Sequence, residues 1–246
     1  ERNISAVIES KDALQALNKV HAGFFDNQPS LTIGLIGPGL VGSELLDQIN
    51  SHLLIIAAEL GVNIHLKAIV KSKYMLLGNA SIDVTKWRET MQEEAIDINL
   101  NTFEAHLTEH SSNGHILIID CTSNDSIAKQ YKRWLGLGIN VITPNKKAFS
   151  DDLSYYKTLK DTSVKNKSYC FYETTVAAGL PVINTINSLV STGDKIHSIE
   201  GILSGTLAYL FNVFDGSKPF SRIVIEAKEN GYTEPDPRDD LGGMDV

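Results

Sequence analysis

The side chains best equipped for chemistry lie in one short acidic segment, with the sequence GYTEPDPRDDLGGMDV (Gly231–Val246). It brings together five carboxylates, one arginine and two prolines. Each proline fixes its own φ at about −65° and biases the residue before it towards an extended conformation. A backbone stiffened in this way can hold carboxylates at set positions for binding or proton transfer. The alternative is a solvated turn in which Asp239 or Asp240 caps a helix that begins near Leu241.

A second candidate site is the glycine-rich turn in LTIGLIGPGLVG (Leu31–Gly42), which follows an apolar strand and precedes a helix. Gly37 permits a tight turn, Gly39 lets a pyrophosphate approach the backbone, and Gly42 permits close contact between helix and strand. The helix N-terminus offers unpaired N–H groups and its positive dipole end to the phosphates. We therefore predict dinucleotide binding, with a purely structural glycine turn as the alternative. The predicted cofactor contacts are Gly37, Pro38, Gly39, Leu40, Val41 and Gly42.

The residues after the second predicted strand, Asn63–Val70, bear on the choice of cofactor. An acidic side chain at this point would bind the ribose hydroxyls of NAD, but the chain reads Lys71-Ser72-Lys73. Cations here suit the 2′-phosphate of NADP, so NADP is favoured, with Lys73 as a contact. NAD stays open, as does the alternative that both lysines are merely solvated.

Strands that alternate with helices predict an α/β fold, a Rossmann-type doubly wound parallel sheet. The predicted elements are a mostly helical stretch Trp87–Ser112, a strand His115–Asp125, a helix Ile127–Gly136 and a strand Ile139–Lys147. Ligands of such sheets bind beyond the carboxyl ends of the strands. Thr122 and Ser123 are therefore predicted to touch the cofactor, and Lys146 stands at the end of the next strand.

The chain is expected to divide into three parts. Residues 1–30 hold a short strand (4–9), a helix (Lys11–Phe25) and a linker, and residues 31–150 form the dinucleotide-binding domain. Residues 151–246 form an α+β substrate and dimerisation domain, in which Tyr169–Asp194 and Lys195–Phe214 each follow the order strand, loop, helix. At the junction before the last helix, the backbone N–H groups of Gly205-Thr206 could meet a carboxylate.

Composition and charge exclude several classes of protein. The chain has 246 residues, 42% of them hydrophobic and 21% charged, which is the balance of a globular protein with a core. Its formal net charge of −8 argues against a nucleic-acid-binding surface. The two cysteines, Cys121 and Cys170, exclude a disulfide framework and a Cys-rich zinc site, and indicate an intracellular protein. No apolar run reaches the ~20 residues of a membrane span.

Taken in order, the motifs GLIGPGLVG, DCTS, TPNKKAF, ETTVAAGLPVI, GILSGTLAY and GYTEPDPRDDLGGMDV resemble those of homoserine dehydrogenase, over about residues 31–246. The resemblance implies the reversible reduction of aspartate 4-semialdehyde to homoserine by NADPH or NADH, in threonine and methionine biosynthesis. Residues 1–30 resemble the end of the ACT-like regulatory region that precedes the dehydrogenase in bifunctional aspartokinase/homoserine dehydrogenase. Since the first residue is not methionine, we expect the chain to be a piece of such a fusion.

The resemblance also implies roles for single residues. Glu234 and Asp245 resemble the acids that bind the substrate, and Thr206 is a further contact. Asp240 resembles a catalytic acid that organises proton transfer around the reacting oxygen. Lys146 resembles a catalytic lysine that lies beside both the nicotinamide and the substrate.

The loop Glu173–Leu180 resembles a site for a monovalent cation, Na⁺ or K⁺, which prefers oxygen ligands. The implied ligands are Glu173 and the carbonyl oxygens of Val176, Ala178 and Leu180. Ala177 stands where the family often has glycine. A loop held only by hydrogen bonds is the alternative.

Further expectations concern assembly, location and completeness. The resemblance implies a homo-oligomer, a dimer or tetramer, in the cytoplasm or, in a plant, the plastid, without nucleic acid or membrane partners. Members of the family continue past the position of Val246 into a helix that carries the principal proton-transfer lysine. We therefore expect very little turnover from these residues alone, even where nucleotide still binds.

Two other functions stay open at this point. One is an acylating semialdehyde dehydrogenase with Cys121 as nucleophile, which would need a base to activate the thiol. The other is a non-catalytic nucleotide-binding regulatory module. The glycine motif permits such a module, but it would leave the acidic segment without a purpose.

Overall fold

Strands and helices alternate along the chain because apolar runs of strand length are separated by amphipathic helical segments. The computed structural model describes residues 5, 7–13, 16–17, 20, 29–111, 114–150, 152–234 and 236–243. The strands are β1 (Ser30–Ile36), β2 (Asn63–Val70), β3 (Tyr74–Leu77), β4 (Ile96–Asp97), β5 (His115–Asp120), β6 (Asn140–Ile142) and β7 (Cys170–Phe171). The helices are α1 (Leu40–Leu60), α2 (Trp87–Glu94), α3 (Leu100–Glu109), α4 (Asp125–Ala128), α5 (Tyr131–Gly136), α6 (Lys147–Ser150), α7 (Leu153–Asn166), α8 (Val182–Ser191), α9 (Gly205–Val213), α10 (Phe220–Glu229) and α11 (Pro237–Leu241). Short 3-10 turns lie at Ser10–Asp12 and Glu173–Thr175.

The strands form one seven-stranded sheet in the order β4-β3-β2-β1-β5-β6-β7. Strands β2, β1, β5 and β6 run parallel, whereas β3 and β4 are antiparallel to their neighbours. At the end of β1, Ile36 is in register with Val70 on one side and Asp120 on the other. The carboxyl ends of three strands therefore meet at one edge, where doubly wound sheets bind their ligands. The predicted Rossmann-type α/β fold is confirmed.

Packing divides the chain into two units. The first comprises residues 1–122, 129–142 and 157–170, and the second comprises residues 123–128, 143–156 and 171–246. These units interleave along the chain, whereas the domains predicted from the sequence, 31–150 and 151–246, are continuous stretches.

Both faces of the sheet in the first unit are covered by helices. On one face, Leu46 of α1 and Trp87 of α2 are buried in an apolar cluster that includes Ile33 of β1. Because successive strand residues point to opposite faces, Gly34 lies on the opposite face of the sheet, against α3. A Cβ on Gly34 would lie 2.6 Å from Cζ of Phe103, so this glycine lets α3 approach the sheet closely.

Two predicted strands end early, each at a side chain that accepts a backbone N–H. Strand β5 ends at Asp120, whose carboxylate accepts the N–H of Thr122 at 2.8 Å, so the expected continuation to residue 125 is absent. Strand β6 ends at residue 142, since the hydroxyl of Thr143 accepts the N–H of Asn145 at 2.8 Å. Both side chains form local turns that compete with the strand for backbone hydrogen bonds.

Helices lie where the sequence predicts them between residues 87 and 136, but each predicted helix is interrupted. The expected helical stretch Trp87–Ser112 is interrupted by β4, and the expected helix Ile127–Gly136 is divided into α4 and α5. The sequence did not predict β3, which is defined by antiparallel pairing with β2. Strand β2 and helix α1 lie where the sequence predicts them.

The second unit is mostly helical beyond residue 172. Its small apolar core joins Leu210 of α9 to Ile223 and Ala227 of α10. The strand predicted at the start of Lys195–Phe214 is wrong, because residues 195–203 form no strand and Ile202 is exposed. An extended segment becomes a strand only where a neighbour pairs with its backbone.

Only part of the first 30 residues is described. Within the strand predicted over residues 4–9, residues 5 and 7–9 form no strand, so that prediction is wrong for these residues; residues 4 and 6 lie outside the described residues. Residues 13, 16, 17 and 20 are helical and residues 11 and 12 belong to the 3-10 turn, in agreement with the predicted helix Lys11–Phe25; the remaining residues of that helix lie outside the described residues. None of the helices in the described part of the chain is long and apolar enough to cross a membrane.

Candidate active site

The glycine-rich turn of the first unit is fixed by hydrogen bonds from the ends of neighbouring strands. Gly37 has a φ of +83°, a left-handed conformation that favours glycine. Its N–H donates to the carbonyl of Val70 at 2.8 Å. A Cβ at Gly37 would lie 2.6 Å from Cγ2 of Thr122, so the position has no room for a larger residue. The turn therefore packs between the end of β2 and the residues that follow β5.

The remaining residues of the turn form an open cradle at the start of α1. A Cβ at Gly42 would lie 2.2 Å from the Gly37 carbonyl oxygen, whereas one at Gly39 would meet no atom of the described residues within 4 Å. Leu40 and Val41 are exposed, at 80% and 56%, and Pro38 is half-buried. The first N–H groups of α1 have no partner within the helix. The shape and donors fit a pyrophosphate, which needs close approach to backbone N–H groups.

The turn after β5 supplies the predicted cofactor contact Thr122 and the rival nucleophile Cys121. The Cys121 N–H donates to the Ile36 carbonyl at 2.8 Å, which ties this turn to the end of β1. Burial, aided by the charge of Asp120, raises the pKa of the Cys121 thiol to about 11. The thiol therefore stays protonated at neutral pH, which does not favour a nucleophilic role. Ser123, the other predicted contact, is exposed and belongs to the second unit.

The predicted phosphate-binding lysines lie on an exposed turn after β2. The Lys73 carbonyl accepts the N–H of Ile98 at 2.9 Å, and the Lys73 side chain is in solvent. The Lys71 ammonium lies 5.9 Å from the ring centroid of Trp87, and Arg88 lies 4.7 Å from the same centroid. The sequence did not predict that Arg88 of α2 lies near the same ring as Lys71, because only the fold brings α2 to this turn.

Lys146 stands in the second unit, directly before α6. The preceding Asn145 is buried and rigid, since its side-chain N–H₂ donates to the Asn124 carbonyl at 3.1 Å and its oxygen accepts the Lys147 N–H at 3.1 Å. The Lys146 side chain is half-buried, and that of Lys147 is exposed. The hydrogen bonds of Asn145 therefore hold the backbone next to Lys146 in place.

The acidic segment of the second unit is anchored on α9. The hydroxyl of Thr206 donates to the Tyr232 carbonyl at 2.7 Å, and the rings of Tyr209 and Tyr232 pack edge to face at 4.9 Å. Ser204 caps α9 by accepting the N–H of Leu207 at 3.1 Å. The predicted substrate contact Thr206 therefore also supports the segment that carries the acids.

Two of the predicted acids, Glu234 and Asp240, are brought together by the fold. Oδ2 of Asp240 accepts the N–H of Glu234 at 2.9 Å. Asp240 is only 1% exposed, and its Oδ1 has no hydrogen-bond partner among the described residues. Glu234 is half-buried. The third predicted acid, Asp245, lies outside the described residues.

The alternative interpretation of this segment, a solvated helix cap, applies to a different residue. Helix α11 begins at Pro237, and its cap is Asp236, whose carboxylate accepts the Arg238 N–H at 3.0 Å. The hydrogen bonds from the Arg238 side chain and N–H lower the pKa of Asp236 to about 2. The predicted capping by Asp239 or Asp240 of a helix that begins near residue 241 is wrong. Asp240 is therefore not needed as a cap.

In the candidate cation loop, the carboxylate of Glu173 caps a helix. The Glu173 carboxylate accepts the N–H groups of Ile183 at 3.0 Å and of Asn184 at 2.8 Å, and so caps α8 from outside the helix. Ala177 and Ala178 have φ values of +53° and +50°. The described residues contain no group of three or more His, Cys, Asp and Glu side chains that could hold a metal ion.

The chain is similar to known families and proteins. The family profile "Homoserine dehydrogenase, NAD binding domain" matches residues 37–173, and the profile "Homoserine dehydrogenase" matches residues 181–246. A maize protein, "Bifunctional aspartokinase/homoserine dehydrogenase 1, chloroplastic", is 45% identical over all of this chain and 27% of its own length. A homoserine dehydrogenase of Emericella nidulans is 39% identical over 87% of this chain and 59% of its own length. The chain thus spans about a quarter of the length of the plant relative.

Solved structures share the same fold. A Candida auris protein of unknown function is 36% identical, with a TM-score of 0.74 over 88% of this chain and 60% of that chain. A hyperthermophilic archaeal homoserine dehydrogenase, solved in complex with NADPH, has a TM-score of 0.66 over 88% of this chain and 66% of its own, at 24% identity.

Proposed function

The chain belongs to the homoserine dehydrogenase family, and we propose that it takes part in hydride transfer between a nicotinamide cofactor and a small amino-acid alcohol or aldehyde. The proposed reaction is the reversible reduction of aspartate 4-semialdehyde to homoserine. By analogy with the maize relative, the dehydrogenase is part of a fusion with an aspartate kinase. The two rival functions are not favoured: burial raises the pKa of the Cys121 thiol, which does not suit a nucleophile, and a regulatory module would not need the buried acid of the second unit.

The first unit binds the cofactor in this proposal. The nicotinamide supplies or accepts the hydride when it is bound. The open face at Gly39 and the N–H groups at the start of α1, which have no acceptor within the helix, support a pyrophosphate site there. Lys73, with Lys71 beside it, supports NADP over NAD because their charges suit a 2′-phosphate.

The second unit binds and orients the substrate. The carboxylates of Glu234 and Asp245 attract the substrate amino group, and the hydroxyl oxygen of Thr206 can accept a hydrogen bond from it. The N–H groups at the start of α9 are suited to the substrate carboxylate. As the aldehyde carbon is reduced, its oxygen gains negative charge and takes a proton. The Nζ of Lys146 stabilises that charge, and Asp240 orients the proton donor.

One observation carries this assignment: Asp240 is buried with one oxygen unpartnered among the described residues. A buried polar atom without a partner costs about 1–3 kcal/mol, and more when it is charged. Such an arrangement is uncommon in a segment that serves only the fold. It is expected at a site that receives a donor during function.

The test is a spectrophotometric assay of the full-length protein with homoserine and either NADP or NAD. Glu234→Gln should abolish most homoserine-dependent formation of NADPH while NADPH still binds. The matched control is Glu229→Gln, an exposed glutamate at the end of α10, which should behave as wild type. Unchanged rates in Glu234→Gln would overturn the proposed substrate site.

A monovalent cation at residues 173–180 is a further part of the proposal. Because Glu173 already accepts two N–H groups, the ligand set depends on the carbonyl oxygens of Val176, Ala178 and Leu180. The left-handed backbone at Ala178 supports a turn of special shape at this point. Dependence of activity on Na⁺ or K⁺, measured against a tetramethylammonium salt, tests this site.

Assembly and location are proposed from the family. We expect a homo-oligomer, a dimer or tetramer, which sedimentation analysis will test. The maize relative is described as chloroplastic. We expect this protein in the plastid if its source is a plant, and in the cytoplasm otherwise.

A further inference from the structure

The buried carboxylate at the end of β5 has no role in the proposed reaction. We infer that Asp120 and Tyr131 are positioning residues that hold the turn after β5 against the glycine-rich turn, and so set the affinity for the dinucleotide. This inference rests on the proposed cofactor site of the first unit. All residues involved belong to that unit.

Asp120 is fully buried, and donors from Thr122 and Tyr131 hold its carboxylate. Its Oδ1 accepts the N–H of Thr122 at 2.8 Å, and its Oδ2 accepts the phenolic O–H of Tyr131 at 2.5 Å. Both Asp120 and Tyr131 are 0% exposed, and the Tyr131 ring packs 6.0 Å from the ring of Trp134. The tyrosine is thus fixed by packing, and the carboxylate is fixed by the tyrosine.

Thr122, which is held by Asp120, in turn contacts the glycine-rich turn. A Cβ at Gly37 would lie only 2.6 Å from Cγ2 of Thr122, so the threonine methyl group defines the space in which Gly37 turns. The neighbouring Cys121 N–H donates to the Ile36 carbonyl, one residue before that turn. A shift of Thr122 would therefore displace the backbone that faces the pyrophosphate.

The charge of Asp120 argues for positioning over direct binding. Burying a carboxylate is unfavourable by several kcal/mol unless strong hydrogen bonds offset it. A carboxylate repels phosphates, and both oxygens of Asp120 already accept a hydrogen bond, so Asp120 does not bind the pyrophosphate directly. Two charge-assisted hydrogen bonds from fixed donors, by contrast, hold a turn more firmly than neutral ones.

The test compares Tyr131→Phe with Tyr155→Phe. Tyr155 also donates its hydroxyl, in this case to the backbone carbonyl of Ala128 at 2.8 Å, but it belongs to the second unit. We expect Tyr131→Phe to raise the Kd for NADPH, measured by fluorescence titration, about tenfold. The KM for NADP should rise likewise, whereas kcat and the KM for homoserine change by less than about twofold. Tyr155→Phe should leave the Kd for NADPH unchanged.

Two further variants keep the inference falsifiable if Tyr131→Phe folds poorly. Asp120→Asn keeps the shape of the buried side chain, and Thr122→Ser removes only the methyl group beside Gly37. Both should raise the Kd for NADPH without raising the KM for homoserine. Variants with a lowered Tm but a wild-type Kd would show a merely structural role and overturn the inference. A wild-type protein that binds neither NADPH nor NADH would instead refute the proposed function itself.

Discussion

The carboxylate of Asp240 accepts the backbone N–H of Glu234 at 2.9 Å, so one predicted acid holds the main chain of another. The second oxygen of Asp240 is buried and has no partner among the described residues. We expect Asp240→Asn to lower kcat for homoserine oxidation about a hundredfold or more, because proton transfer loses an organising carboxylate. The Kd for NADPH should stay within about twofold of wild type.

The neighbouring Asp239 provides the matched control, since it is exposed on the same short helix. Asp239→Asn removes the same charge from the same segment and should leave kcat unchanged. Equal losses in the two variants would indicate a general effect of charge, and would remove the special role assigned to Asp240.

Glu173 caps helix α8 from outside the helix. The N-cap residue is Pro181, which has no side-chain acceptor, and the Glu173 carboxylate accepts the N–H groups of Ile183 and Asn184 in its place. We expect Glu173→Ala to lower the free energy of unfolding by about 1–2 kcal/mol. Urea denaturation followed by circular dichroism measures this change, with the exposed neighbour Thr174→Ala as control. No loss of stability in Glu173→Ala would contradict the capping role.

The parts of the site that depend on local sequence could be predicted. The glycine-rich turn follows from residue types within one short stretch, and Gly37 adopts the positive φ that such a turn needs. The parallel strands β1, β2 and β5 were predictable because their apolar runs are bounded by turn residues. Fold class and cofactor region were therefore accessible from the sequence.

The parts that depend on contacts between distant residues could not be predicted. The capping of α8 by Glu173 joins segments that are separated by a loop, and the pairing of β3 with β2 is a property of the sheet. The burial of Asp240 arises because the chain folds back on Glu234, while the nearby Asp236 serves as the cap. From composition alone, Glu234, Asp236 and Asp240 have the same possible roles. Only the residues around each carboxylate in the fold distinguish them.

The environment of His106 predicts that the protein loses stability at mildly acidic pH. It is 9% exposed on α3, and its Nε2–H donates to the Gly78 carbonyl at 3.2 Å. Burial, together with the charge of the adjacent His110 and of Lys67, lowers the pKa of His106. The unfolded chain therefore binds this proton more readily than the folded one, so stability is full above about pH 6.5 and falls as the pH drops below it.

The measurement is the free energy of unfolding in urea at pH 7.5 and at pH 5.5. His106→Gln keeps a donor for the Gly78 carbonyl but has no charge to gain, so the difference between the two pH values should shrink. The control is His115→Gln, an exposed histidine at the start of β5, which should keep the wild-type difference. A pH dependence that is the same in wild type and His106→Gln would contradict the assignment.

Lys73 should distinguish NADP from NAD. Its side chain is exposed on the turn after β2, close in sequence to Val70, whose carbonyl accepts the N–H of Gly37. Lys73→Glu places a negative charge near the expected 2′-phosphate, and we expect the Kd for NADPH to rise about tenfold at low salt. The Kd for NADH should change little, and the effect should weaken at high ionic strength because salt screens exposed charges. Fluorescence titration with both nucleotides measures this, and Lys132→Glu, an exposed lysine on α5 of the same unit, controls for a general change in charge. An equal loss of affinity for NADPH and NADH in Lys73→Glu would mean that this turn does not recognise the 2′-phosphate.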